Sequence, residues 1–272
     1  MGWRDRGIQL KTPEQIDGMR VAGLVVGRTL EMLRDVARPG LSTAELDRTA
    51  EAHIRSLGAT PSFLGYHGFT GSICVSVNEE VVHGVPGARV LAEGDLVSID
   101  CGAIVDGWHG DAATTFALGD VPPEVEALMV VTEEAMWRGI GAARLDGRVS
   151  DISHAVESHV RAAGDYGILE DYTGHGIGSE MHQPPDVPNY GKPGRGPRLV
   201  RGLALAVEPM VTLGSAETDL LGDEWTVVTV DRSWAAHSEH TFTLTEQGHW
   251  VLTALDGGKA QLAALGLPYG GE

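Results

Sequence analysis

The chain has 272 residues, 42% of them hydrophobic, and a formal net charge of −18, which is enough apolar material for one large domain or two small ones. The acid excess repels phosphate backbones and argues against nucleic-acid binding, and no run of about 18 apolar residues is present to cross a membrane. The charged start, Met1 to Lys11, lacks a signal-type apolar core, and two cysteines, Cys74 and Cys101, exclude a four-cysteine zinc site and are a poor basis for a disulfide framework, so a cytoplasmic protein is expected.

In chain order, Thr12, Pro13 and Gln15 predict a capped helix start. Ile16, Met19, Val26, Leu30 and Leu33 then form a helical stripe, stopped at Arg38-Pro39-Gly40. Ser42 and Glu45 predict a second helix, with Leu46, Ala50, Ile54 and Leu57 inward and Gly58 at its end. Strands are expected over Ser72 to Val77 and Leu96 to Ile104, with a hairpin turn at Asp106-Gly107. Two more helices fit Pro123 to Ile140 and Ser150 to Ala163. A glycine- and proline-rich stretch, Gly174 to Gly196, precedes strands at Leu203 to Leu213, Trp225 to Val230 and Thr241 to Leu244. This order predicts an α+β fold, helices on a mostly antiparallel sheet, and hints at two similar halves.

Four acids occupy positions where solvation is no easy explanation. Asp100 sits inside Leu96-Val97-Ser98-Ile99-Asp100-Cys101-Gly102, and an unpaired buried carboxylate is costly. A hairpin turning at Asp106-Gly107 pairs Gly102 with Asp111, which puts Asp100 and Asp111 diagonally on one face, about 7–8 Å apart at the backbone. Two carboxylates so placed call for a cation between them. Glu208 interrupts Leu203-Ala204-Leu205-Ala206-Val207 and Pro209-Met210-Val211, and Glu239 precedes His240-Thr241-Phe242. Each acid alone is explained by hydrogen bonds to backbone; four in one domain favour a common cause. In Tyr172-Thr173-Gly174-His175-Gly176-Ile177-Gly178-Ser179-Glu180-Met181-His182 the glycines permit close backbone approach. An imidazole with several carboxylates suits manganese, iron, cobalt or zinc. His154 and His159 lie on an amphipathic helix and read as ordinary surface or packing residues.

Together these stretches, with Val81-Val82-His83-Gly84-Val85-Pro86, closely resemble type I methionine aminopeptidases from about Thr12 to Thr253. The resemblance implies the pita-bread fold: two related α/β halves around a curved, mostly antiparallel sheet. A single domain is expected over 1–272, with 1–11 and 254–272 as terminal tails. It implies two divalent metal ions (cobalt, manganese, iron or zinc). Asp100 would hold one and His175 with Glu208 the other, Asp111 and Glu239 bridging. His83 and His182 match the family's two substrate-contacting, non-ligand histidines, and either Glu208 or His83 would move protons. The side-chain pocket would comprise Phe63, Tyr66, Phe69, Cys74, Met181 and Trp225.

The implied activity is removal of the initiator methionine from nascent polypeptides by attack of a dimetal-activated water, favouring small second residues. The ribosome is a candidate partner, and a monomer is expected. Only 33 positions separate His175 from Glu208 (208 − 175), as in the short bacterial form. Two rivals are weaker. Proline-specific relatives usually carry an extra N-terminal domain, whereas 99 residues precede Asp100 here, and catalytically dead relatives lose ligands that this chain keeps.

Overall fold

The computed structural model of the protein describes residues 7–271. Thr12 caps the first helix, α1 (Pro13–Val36): its Oγ1 accepts from the Gln15 N–H at 3.3 Å, and Gln15 Oε1 accepts from the Thr12 N–H at 2.9 Å. Ser42 and Glu45 repeat the device for α2 (Thr43–Ser56). Each box satisfies donors that a helix start leaves unpaired. The expected α1 stripe is buried. Leu57, expected inward, is instead 37% exposed, because it is the C-cap of α2 and falls off the helical stripe.

The chain then forms β1 (Thr60–Pro61), β2 (Ile73–Val77) and β3 (Glu80–Val82), followed by a long hairpin of β4 (Leu96–Val105) and β5 (Trp108–Ala117). Asp106 and Gly107 make its turn with φ of 48° and 81°, both left-handed, as a two-residue type I′ turn requires. Helices α3 (Pro123–Ala142) and α4 (Val149–Ala163) follow. Short strands come next: β6 (Gly167–Ile168), β7 (Gly174–Gly176), β8 (Gln183–Val187), β9 (Ala204–Val207) and β10 (Met210–Thr212). They continue with β11 (Thr218–Leu220), β12 (Val227–Thr229), β13 (Ala235–His237), β14 (Glu239–Leu244) and β15 (His249–Val251), and α5 (Lys259–Ala264) ends the series.

Nine strands build one antiparallel sheet in the order β1-β4-β5-β14-β9-β7-β8, with β2 beside β4 and β15 beside β14. Two three-stranded sheets, β13-β10-β6 and β11-β12-β3, flank it. The expected strand Leu203 to Leu213 is therefore two strands in different sheets. Pro209 has no N–H for a ladder, and the chain changes sheet at Glu208-Pro209. The glycine- and proline-rich stretch contains β7 and β8, and Trp225 precedes β12 instead of opening it.

Two apolar cores back the sheet. Val26, Leu33, Leu46 and Ile54 of α1 and α2 pack with Val75, Val97, Ile99 and Phe116. Leu128, Ile140, Ile152 and Val156 of α3 and α4 pack with Leu205, Val207 and Phe242. Each helix pair thus covers its own half of the sheet. The segments expected as terminal tails are packed where described: the Lys11 N–H donates to the Gly202 carbonyl at 2.7 Å, Leu262 of α5 is fully buried, and the Gly270 N–H donates to the His249 carbonyl at 2.7 Å. Residues 1–6 and 272 of those segments lie outside the described residues.

Helix α1 touches β5 backbone to backbone one residue before Asp111. A Cβ on Gly110 would lie 2.7 Å from the Gly23 nitrogen and 2.8 Å from its Cα. Gly110→Ala therefore forces the helix off the sheet and is expected to cost roughly 1–3 kcal/mol. The control Val21→Ala, on the exposed side of α1, should stay within about 0.5 kcal/mol. Urea unfolding of both variants measures the difference; equal midpoints would refute the close-approach argument.

Candidate metal-binding active site

The register brings the anomalous acids together. Gly102 pairs with Asp111 and Asp100 with Ala113 across β4 and β5. Ala113 also faces Glu239 on β14. Residues directly opposite one another share a face, as do residues two apart, so Asp100, Asp111 and Glu239 project from the same side. β14 pairs with β9, with His240 opposite Val207, so Glu208 follows on that side. β7 pairs with β9 through Gly176 and Leu205, which brings His175 to the same face.

Asp111 and Glu239 are 3% and 2% exposed. The Asp100 and Asp111 carboxyl groups are close enough that each affects the other's protonation. His175 Nε2 stands 3.4 Å from Glu208 Oε1 and 3.9 Å from Asp111 Oδ2. Its Nδ1 lies 3.0 Å from the Gly176 carbonyl oxygen. A carbonyl only accepts, so Nδ1 carries the proton and Nε2 directs a lone pair at the two carboxylates. Burial and the neighbouring His182 hold the His175 imidazole neutral, its pKa down to about 3.

Burial also raises the pKa of all four acids, Asp100 to about 7, and the other three, which reinforce one another by like charge, well above the ordinary carboxylate range. One oxygen on each of Asp100, Asp111, Glu208 and Glu239 is buried with no hydrogen-bond partner. Orphaned carboxylate oxygens facing an imidazole lone pair fit divalent cations, whose charge reverses the local repulsion. Asp111, His175 and Glu239 offer ligand atoms all within 4.8 Å of one another, and so do Glu208, His237 and Glu239.

The five sequence-assigned ligands and the eight assigned substrate contacts all line one cavity of about 110 Å³. Phe63, Phe69, Cys74 and Met181 form a buried apolar wall, with Tyr66, Val85 and Trp225 packed against it. Phe69 meets Trp225 edge-on, ring centroids 5.1 Å apart. The open clefts of about 790 and 640 Å³ elsewhere on the surface are larger, but among the described residues they contain no comparable carboxylate group. His83 follows β3 with φ of 59°, an unusual backbone for histidine, and its ring lies between Tyr172 and Trp225, with centroids 5.5 and 6.3 Å away. Burial takes its pKa down to about 4. His182 precedes β8, its ring 4.3 Å from that of His175 and its Nδ1 2.8 Å from the Tyr66 hydroxyl.

The sequence reading missed three neighbours. His237 is 1% exposed, with Nε2 3.9 Å from Glu208 Oε2. It stands two residues before Glu239, and that period-of-two spacing was a usable signal. Asn189 Nδ2 donates to the Glu208 carbonyl at 3.1 Å, and Val85 joins the apolar wall; neither carries a sequence mark.

The sequence profile of metallopeptidase family M24 matches residues 17–246. A methionine aminopeptidase of Clostridium acetobutylicum is 51% identical over 90% of this chain and 98% of its own. Methionine aminopeptidase 1 of Mycobacterium tuberculosis is 51% identical over 91% and 96%. The crystal structure of the Thermotoga maritima methionine aminopeptidase superposes with a TM-score of 0.89 at 41% identity, covering 91% of this chain and 99% of that one. The architecture is the pita-bread fold that the resemblance implies, and the chain belongs to metallopeptidase family M24.

Proposed function

We propose that this protein removes the N-terminal methionine from nascent polypeptides, using two divalent metal ions held by Asp100, Asp111, His175, Glu208 and Glu239. The observation that carries this reading is one small cavity with buried, orphaned carboxylates on one side and an apolar wall on the other. The methionine aminopeptidases that share about half of its sequence support it. We assign one ion to Asp100 and the other to His175 and Glu208, with Asp111 and Glu239 bridging. Manganese, iron, cobalt and zinc all suit this nitrogen and oxygen donor set. When bound, the metals supply a water activated near neutral pH and an anchor for the substrate's free amino group.

The remaining roles fall to the chain's own side chains. The cavity is far below the roughly 300–1,000 Å³ of a drug-sized ligand site, so it suits a single side chain. An unbranched thioether fills such an apolar slot with little strain. We assign the Tyr66 hydroxyl, 2.8 Å from His182 Nδ1, as the donor of that bond, which leaves the proton of His182 on Nε2, available to a developing oxyanion. Glu208 and His83 line the same cavity and are the two groups assigned to proton movement. The second substrate residue must pass the rim at His83 and His182, which favours small side chains. The reaction is placed in the cytoplasm, on a monomer, with the ribosome as the source of substrate. Among the described residues no helix is long and apolar enough to cross a membrane.

Chelation should abolish cleavage of a Met-Ala peptide, and manganese or cobalt should restore it. Met-Ser should be cleaved as well and Met-Lys should not. Mass spectrometry of the products checks this; turnover by metal-free protein, or equal cleavage of Met-Ala and Met-Lys, contradicts it.

His182→Ala should keep its metal and lose about 10²–10³ in turnover, the usual effect of removing one oxyanion donor. Asp111→Ala and Glu239→Ala should each disturb both ions. Metal content after gel filtration separates the two classes, and a metal-free His182→Ala protein would overturn the division.

Metal affinity should rise steeply over the range around pH 7, where Asp100, raised by burial, loses its proton. Burial and mutual repulsion raise the four carboxyl groups, so protons occupy the site at the acid end and must leave as a cation enters. The His175 ligand is already neutral over that range and adds nothing to the slope. Calorimetric titration with manganese in buffers of different ionisation heat counts the released protons; zero release refutes the assignment.

A further inference from the structure

The Glu208 carboxylate lies between two buried imidazoles. On one side, His175 Nε2 stands 3.4 Å from Oε1. On the other, His237 Nε2 stands 3.9 Å from Oε2. The two rings differ in what surrounds them. The proton of His175 is committed to the Gly176 carbonyl, so its Nε2 acts as a lone pair. Among the described residues His237 Nε2 is buried without a hydrogen-bond partner, and a Glu208 oxygen lies within ion-pair range of it.

The backbone of His237 is fixed from two directions. It pairs with Met210 across β13 and β10. From the opposite side, the Thr115 hydroxyl accepts from the His237 N–H at 3.0 Å and donates to its carbonyl at 2.7 Å. Glu208 is anchored through its own carbonyl by Asn189 Nδ2, and no side-chain hydrogen bond holds its Oε1 among the described residues. A rotation that moves Oε2 about 1 Å closer brings it to the usual N–H···O distance.

We propose that His237 is a positioning residue for Glu208, its Nε2–H donating to Oε2 so that Oε1 faces the metal shared with His175. This rests on the reading of Glu208 as a metal ligand. Ligating carboxylates are commonly held by such outer hydrogen bonds, and their loss costs about 10–100-fold in metal affinity or activity. The role differs from ligation, in which His237 Nε2 would itself hold a cation together with Glu208 and Glu239, whose ligand atoms lie within 4.8 Å of it.

The test compares wild type, His237→Leu and His237→Gln. Leucine removes the donor and keeps the bulk; glutamine keeps an N–H donor. Manganese titration by calorimetry should show one of the two binding events weakened by about 10–100-fold in the leucine variant and largely restored in the glutamine variant. At saturating manganese, kcat on a Met-Ala-Ser peptide should fall in the leucine variant while KM holds, and glutamine should rescue it. Unchanged binding in His237→Leu makes the ring a space filler and overturns the proposal. Equal loss in both variants makes it a direct ligand and overturns it too. Wild type that binds no manganese defeats the underlying reading instead. Should His237→Leu not fold, nitrogen NMR of histidine-labelled, zinc-loaded wild type decides. A proton retained on His237 Nε2 supports the proposal, and a metallated, deprotonated Nε2 refutes it.

Discussion

Four carboxylates and one imidazole lone pair converge on a single buried face of the sheet, and that repulsion is the constraint on which the rest of the structure depends. Burying an unpaired charge is far more expensive than any single contact is favourable. The apolar cores on the far side of the sheet nevertheless keep this face in place. Burial raises all four carboxyl groups above the ordinary range, and like charge adds to the shift at Asp111, Glu208 and Glu239. Ala113 pairs with Asp100 on one side and Glu239 on the other, and so links the two acids across the sheet.

The substrate side is organised around the same face. Cys74 pairs directly with Asp100 across β2 and β4, so the apolar wall begins one strand away from the first carboxylate. Its thiol is held well above its usual pKa by burial and by the neighbouring acids, and it serves as an apolar surface there, not as a nucleophile. Tyr66 reaches across to His182, tying the wall to the histidine that borders the ligand set. A wall and a ligand cluster in separate parts of the molecule could bind a methionine side chain or a metal; only their adjacency relates the side chain to the bond two carbons away from it.

Much of this was legible because it depends on local rules. Asp106-Gly107 sets the hairpin turn, the turn sets the register, and the register alone puts Asp100 and Asp111 on one face. The two capping boxes likewise set the starts of α1 and α2. What was illegible depends on partners far away in sequence. The switch between sheets at Glu208-Pro209 is decided by which strands wait on either side, β14 for β9 and β13 for β10. The short strands β7 and β8 lie in a stretch whose glycine and proline content reads as loop, yet the Gly174 and Gly176 positions are in a sheet because a side chain there would strike neighbouring backbone. His237 lies two positions before Glu239, but its contact with Glu208 joins residues nearly thirty positions apart and is visible only in the fold.

The placement of the ligands also has a mechanical consequence. Asp100 and Asp111 belong to the half of the sheet covered by α1 and α2, and His175 and Glu208 to the half covered by α3 and α4. The ladder that joins the halves, β5 to β14, is short: Glu239 opposite Ala113 and His240 opposite Ala112. Side-chain bonds reinforce it, with the Thr241 hydroxyl donating to the Asp111 carbonyl at 2.8 Å and Thr115 holding His237. Carboxylates from opposite halves therefore face one another across a ladder of only two residue pairs. A ligand that binds only the folded state adds about 2.7 kcal/mol of stability at a hundredfold excess over its Kd. For a cation held by ligands from both halves, that stabilisation would act at the junction between them.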